Sequence, residues 1–150
     1  MDQHASMGAL EPFVGEWDLH PRFSFPVPDG VTGRVVFEWM EGGRFLVERW
    51  TVTLPEAPDG IAIIGPDPDG EGYLQHYFDS RGVARVYRMG FAHGLWTMSR
   101  TTPDFSPLDF SQRWSGRFSD DGSRIEGAWE IAHDAETWEK DFDLTYRRIA

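Results

Sequence analysis

The chain has 150 residues, no cysteine, 15% aromatic side chains and a formal charge of −11 from 25 acidic against 14 basic residues. That length suits one domain, 1–150, able to bury its own core, and the absence of thiols excludes disulfides, thiolate metal centres and cysteine nucleophiles. The acid excess opposes phosphate backbones and anionic membrane surfaces.

Met1-Asp2-Gln3-His4-Ala5 shows no basic start leading into an apolar run, and no stretch approaches the ~18 apolar residues of a membrane span. A cytoplasmic protein with neither nucleic acid nor membrane as partner is expected, as a monomer or homodimer. The first predicted element is a short helix, Ser6 to Val14, whose Leu10, Phe13 and Val14 would cover one end of the fold. Ten segments of alternating apolar and polar residues follow, approximately 15–21, 31–40, 44–53, 60–66, 72–79, 83–90, 94–100, 109–118, 123–132 and 137–147. Period two is the mark of a half-buried antiparallel strand.

Turn chemistry supports these strands. Glu41-Gly42-Gly43, Asp79-Ser80-Arg81-Gly82 and Asp120-Asp121-Gly122-Ser123 place glycine where a hairpin needs positive φ, and Asp or Ser where a side chain can bond the local backbone. The proline-rich stretches 25–30, 54–60, 65–70 and 102–109 read as longer rim loops, because proline supplies no ladder donor. Nearly all links are hairpin-length. The predicted fold is therefore all-β, a ten-stranded antiparallel up-and-down barrel with a short N-terminal helix at one end, a closure that leaves no exposed edge.

Strand phase then assigns the interior. Trp138, Lys140, Phe142, Leu144 and Tyr146 share one face of the last strand, as do Ile125, Gly127, Trp129 and Ile131 on the one before, Val35, Phe37 and Trp39 near the start, and Phe110, Gln112 and Trp114. Around Asp79-Ser80-Arg81-Gly82, a four-residue loop sets His76 opposite Arg85 and turns Leu74, His76, Phe78, Val83, Arg85, Tyr87 and Met89 inward; a three-residue loop would instead pair Tyr77 with Arg85. The first register is expected, since it gathers more apolar area inside and leaves Asp79 and Arg88 outside. Trp96, Met98 and Arg100 continue that face.

The expected ligand-binding set is His76, Arg85, Tyr87, Trp96, Arg100, Gln112, Trp129 and Tyr146, a polar minority among aromatic walls, as small-molecule sites are commonly built. Two blander readings stand beside it. Arg85 and Arg100 could each pair with an acidic rim residue and serve structure alone, since a buried guanidinium is costly unless paired. The aromatics could also fill the barrel completely.

The stretch Gln75-His76-Tyr77-Phe78-Asp79-Ser80-Arg81-Gly82-Val83-Ala84-Arg85-Val86-Tyr87, with Phe13-Val14-Gly15-Glu16-Trp17, Phe37-Glu38-Trp39-Met40-Glu41-Gly42-Gly43-Arg44-Phe45-Leu46 and the Phe118-Ser119-Asp120-Asp121-Gly122 hairpin, resembles a family of small bacterial proteins. That family is a lipocalin-like domain of unknown function in the calycin group, beside nitrobindins and fatty-acid-binding-type barrels. The resemblance runs from about residue 10 to 148 and implies a lipocalin-like ten-stranded barrel with a ligand cavity. The nitrobindin branch would bring haem held by a histidine. Among His4, His20, His76, His93 and His133, only His76 takes an inward assignment, and Leu19 stands where nitrobindins carry a second glycine. No cofactor or metal is expected, with haem as the alternative.

No Gly-x-Ser-x-Gly elbow, phosphate-cradling loop, dinucleotide fingerprint or His-Glu-x-x-His pair occurs, and Asp67 to Glu71 lacks calcium-loop spacing. The expected function is binding of a small hydrophobic or amphipathic molecule, with an acidic head group meeting Arg85 or Arg100. The alternative is a small-molecule isomerase or cyclase using His76 as acid–base.

Overall fold

The computed structural model describes residues 7–23, 32–54, 57–134 and 136–150. A 3-10 helix, Met7–Phe13, precedes ten strands: Gly15–Phe23 (β1), Gly33–Trp39 (β2), Leu46–Val52 (β3), Gly60–Pro66 (β4), Tyr73–Asp79 (β5), Ala84–Ala92 (β6), Leu95–Arg100 (β7), Ser111–Phe118 (β8), Arg124–Ala132 (β9) and Glu139–Arg148 (β10). They form one closed antiparallel barrel in sequence order, sealed where Trp17 to Phe23 of β1 pair with Arg148 to Phe142 of β10. The expected 25–30 loop and His4 lie outside the described residues. Among the described residues no helix is long and apolar enough to cross a membrane.

One end of the barrel is filled. Leu10 and Phe13 enter it from the short helix, and the Phe13 ring sits 4.9 Å from those of Phe91, Trp96 and Phe118 and 5.3 Å from that of Phe37. Trp17 donates its Nε1–H to the Phe13 carbonyl at 2.9 Å, closing a helix end whose carbonyls would otherwise lack partners. Arg148 donates from Nη1 to the Val14 carbonyl at 2.7 Å while its guanidinium lies 4.2 Å above the Trp17 ring. The predicted role of the N-terminal segment as an end cover holds.

A seat for Trp114 is cut into the wall by two glycines. Gly116 faces Gly127 across the β8–β9 pair, and a Cβ on Gly127 would lie 2.6 Å from the Trp114 ring. With no side chain on either glycine, the indole lies flat against backbone and reaches Trp96 and Trp129 at 5.2 and 5.6 Å.

Two expected registers are corrected. The β5–β6 link is a three-residue loop: Asp79 N–H donates to the Val83 carbonyl at 3.0 Å, the Asp79 carboxylate accepts from Arg81 N–H at 2.9 Å, and Gly82 takes a φ of 85°. Turn closure by an Asp side chain with a left-handed glycine fits this loop length and overrides the count of apolar area. Tyr77 therefore pairs with Arg85, and His76 with Val86. Tyr73, Gln75 and Tyr77 turn inward; Leu74, His76 and Phe78 turn outward. Asp79, expected outside, has a side chain wholly shielded from solvent.

In β10 the pairing shifts between Lys140 and Phe142. The extra residue of a bulge reverses the side-chain phase ahead of it. Lys140 faces out and meets the Asp143 carboxylate at 3.1 Å, and Trp138 lies outside under the Arg113 guanidinium at 4.1 Å. Asp141, expected outside, reaches the interior.

Candidate functional site

The other half of the barrel is open and encloses a cavity of about 680 Å³, within the size range of small-molecule sites. Its walls are chiefly apolar, with Leu19 and Phe23 from β1, Trp50 and Val52 from β3, Trp96 and Met98 from β7, and Trp129, Phe142 and Leu144 closing the circuit. The aromatics thus fill one end and line the other, so the completely filled barrel is corrected.

Arg85 projects into this cavity from the second position of β6. Its Nη1 reaches the Gln112 side-chain oxygen at 3.4 Å, and its guanidinium lies 5.9 Å from the Tyr77 ring and 5.7 Å from the Phe110 ring. No described carboxylate comes within salt-bridge distance of it, whereas the neighbouring Arg81 is held by Asp79 at 2.7 Å. Tyr87 completes the group by donating its hydroxyl to the same Gln112 oxygen at 2.9 Å. Burial raises the Tyr87 phenol above its ordinary value, which keeps it a neutral donor.

Arg100 has a different occupation. It is 3% exposed, and Nε and Nη2 each donate to the Asp104 carboxylate at 2.9 Å; Nη2 also donates to the carbonyls of Ser106 and Pro107. Asp104 accepts in addition from Val86 N–H at 2.7 Å and Ser106 N–H at 3.1 Å, which closes the β6 edge where β7 has ended. The Arg100 hydrogen bonds and then the backbone donors hold the Asp104 carboxyl well below the usual range, against the opposing effect of burial. The expectation that Arg100 meets a ligand is corrected: its Nε and Nη2 donors are spent on the 101–110 loop, and it does not line the cavity.

His76 is corrected too. Its imidazole stands on the outer face, 6.3 Å from the Phe105 ring, so it does not bring acid–base chemistry to the cavity. Of the expected set, Arg85, Tyr87, Trp96, Gln112, Trp129 and Tyr146 line the cavity together. His20, His93 and His133 are exposed, and among the described residues no histidine lines the cavity, so these residues do not fit a haem held by an axial imidazole.

Several cavity residues were missed. Gln75 and Tyr77 were lost with the register. Glu48 was legible: Leu46, Glu48, Trp50 and Val52 share one parity of β3 while Arg49 and Thr51 occupy the other. Glu48 is buried, accepts from Gln75 Nε2 at 3.1 Å, and has no cation within salt-bridge distance among the described residues. Desolvation raises its pKa to about 8. Burial lifts the nearby Tyr146 phenol further above its ordinary range, and Glu48 adds to that effect.

Two solved structures are similar over nearly the whole chain. The crystal structure of Rv2717c from M. tuberculosis superposes with a TM-score of 0.67 at 14% identity, covering 96% of this chain and 97% of that one. Zebrafish ileal bile acid-binding protein, crystallised with cholic acid, superposes with a TM-score of 0.51 at 13% identity, covering 93% of this chain and 100% of its own. At such identities the likeness is one of fold, and it is that of a fatty-acid-binding-type, lipocalin-like barrel. No family model matches the chain, and no curated protein matches it.

Proposed function

We propose that the barrel binds a small amphipathic molecule, its apolar body in the cavity and its anionic group on Arg85. The observation that carries this reading is the Arg85 guanidinium, which lines a mainly apolar cavity with no described carboxylate in salt-bridge range. A half-buried guanidinium facing apolar walls gains when an anion meets it, and its planar fork suits a carboxylate, sulfonate or phosphate oxygen pair. Tyr87 and Gln112, locked to each other beside it, would fix the orientation of such a group. The bile acid carried by the zebrafish barrel is an anionic amphiphile of the same general kind, which supports the reading at the level of fold.

Native mass spectrometry of the purified protein, then denaturing extraction and an absorbance scan through the haem band, tests it. A co-purifying anionic amphiphile supports the reading. A haem band would contradict it. A clean apo mass is followed by titration with octadecanoate, and failure to saturate would reject the proposal.

A further inference from the structure

A second polar spot lies deeper in the cavity than Arg85. Glu48 is opposite Phe37 in the β2–β3 pair, and Phe37 belongs to the filled end; Arg85 sits beside the β5–β6 hairpin at the open end. The two spots are thus at different depths. Glu48, Gln75 and Tyr146 all line the cavity and are all buried.

Their hydrogen bonding is incomplete in a specific way. Gln75 gives one amide N–H to Glu48, and among the described residues nothing else bonds the second carboxyl oxygen of Glu48, the Gln75 side-chain oxygen or the Tyr146 hydroxyl. The buried side-chain atoms that are both sealed from the cavity and unpartnered are Trp96 Nε1 and Trp114 Nε1 instead. The free atoms of Glu48, Gln75 and Tyr146 are therefore open to the cavity. By contrast, the Tyr77 and Tyr87 hydroxyls are spent on Asp79 and Gln112.

We propose that Glu48, as a neutral carboxyl held by Gln75, hydrogen bonds a hydroxyl on the body of the ligand, so that the molecule bound is a hydroxylated amphiphilic acid rather than a plain one. This rests on the reading of Arg85 as the anion site. A buried carboxyl with no cation beside it is cheaper to keep protonated than ionised, and the raised pKa of Glu48 agrees. A protonated carboxyl donates where the Gln75 oxygen accepts. A hydroxyl is the small group that satisfies both at once, because it accepts from one and donates to the other. An apolar ligand body would leave both unpaired in a dry site, which is the arrangement by which polar sites reject analogues lacking the matching group.

Calorimetric titration with octadecanoate and its mid-chain hydroxy derivative tests this, using wild type, Glu48→Gln, Glu48→Leu and Arg85→Ala. Wild type should bind the hydroxy acid about fivefold to tenfold more tightly, the worth of one net hydrogen bond. Glu48→Leu should abolish that preference, and Glu48→Gln, which keeps a donor and the shape, should retain it and serve as the folding control. Arg85→Ala should weaken both acids alike.

Equal affinities in wild type, or a preference surviving in Glu48→Leu, would overturn the hydroxyl site while leaving the Arg85 reading intact. Failure of both acids to bind would overturn the two together. Tighter binding of octadecylamine, lost in Glu48→Gln, would overturn the neutral-carboxyl assignment, since it would make Glu48 an ionised partner.

Discussion

Tyr77 lies directly opposite Arg85 across the β5–β6 hairpin. That pairing decides which half of β5 sees the cavity: Tyr77 stacks at 5.3 Å on Trp50 and meets Tyr87 edge-on at 5.9 Å, while His76 stands outside. Arg85 thereby lies against the Tyr77 and Phe110 rings, with the Gln112 side-chain oxygen accepting from its Nη1 and no described carboxylate in salt-bridge range.

Arg85→Ala should therefore weaken binding of an anionic amphiphile by about 1.5–3 kcal/mol, the scale of a hydrogen bond to a charged group. His76→Ala should leave affinity within about twofold, since its imidazole does not line the cavity. Quenching of Trp50, Trp96 and Trp129, which line the same cavity, supplies the titration signal. A loss in the His76 variant with none in the Arg85 variant would reverse the assignment.

Breaking the Arg100–Asp104 pair should act on stability before affinity. Both side chains are largely buried, at 2% and 11% exposure, and removing one leaves the other's charge without its ion-pair partner. Arg100→Ala should cost about 3–5 kcal/mol in urea unfolding. Because Asp104 is held below its ordinary range in the fold, its contribution is complete above the unfolded carboxylate pKa of 3.8 and is lost as pH falls further. Acid unfolding of Asp104→Asn should accordingly show a shallower pH dependence than wild type, from a lower starting stability.

Glu48 should give the opposite slope. Its pKa rises from 4.5 to about 8 on folding, so between those values the folded protein holds a proton that the unfolded chain has released. Stability from this group is full below about pH 4.5, falls through the window, and is gone above about pH 8. The loss is on the order of 5 kcal/mol. Urea midpoints measured at both ends of the window should converge in Glu48→Gln; an unchanged slope would place the titration elsewhere.

The Trp114 seat predicts a cost for the smallest possible addition. In Gly127→Ala the new methyl would meet the Ser115 carbonyl oxygen at 2.5 Å as well as the indole, and the former is backbone that cannot step aside. Overpacking of this kind costs about 1–3 kcal/mol. Gly122→Ala, at a turn with open space around it but a φ of 73°, separates backbone strain from crowding; its loss should leave Trp114 fluorescence unchanged, whereas Gly127→Ala should shift it.

All ten strands and the end-covering helix were legible in the sequence, because the alternation of apolar and polar residues repeats in every segment and needs only local information. Most inward residues follow from the same alternation, including Arg85, Tyr87, Trp96, Gln112, Trp129 and Tyr146. Two things were beyond it. A hairpin loop of three residues or four reverses every side chain of one strand, and what chose between them was the Asp79 carboxylate and Gly82 closing the turn, an energy no count of apolar area contains. The bulge between Lys140 and Phe142 did the same to Trp138 and Asp141. The fates of the two interior arginines were likewise settled in three dimensions. Asp104 lies within reach of Arg100 only because the 101–110 loop folds back along the β6 edge, while among the described residues no carboxylate is brought to Arg85. Periodicity reports which side of a sheet a residue is on; which charges meet across a closed barrel depends on the closure itself.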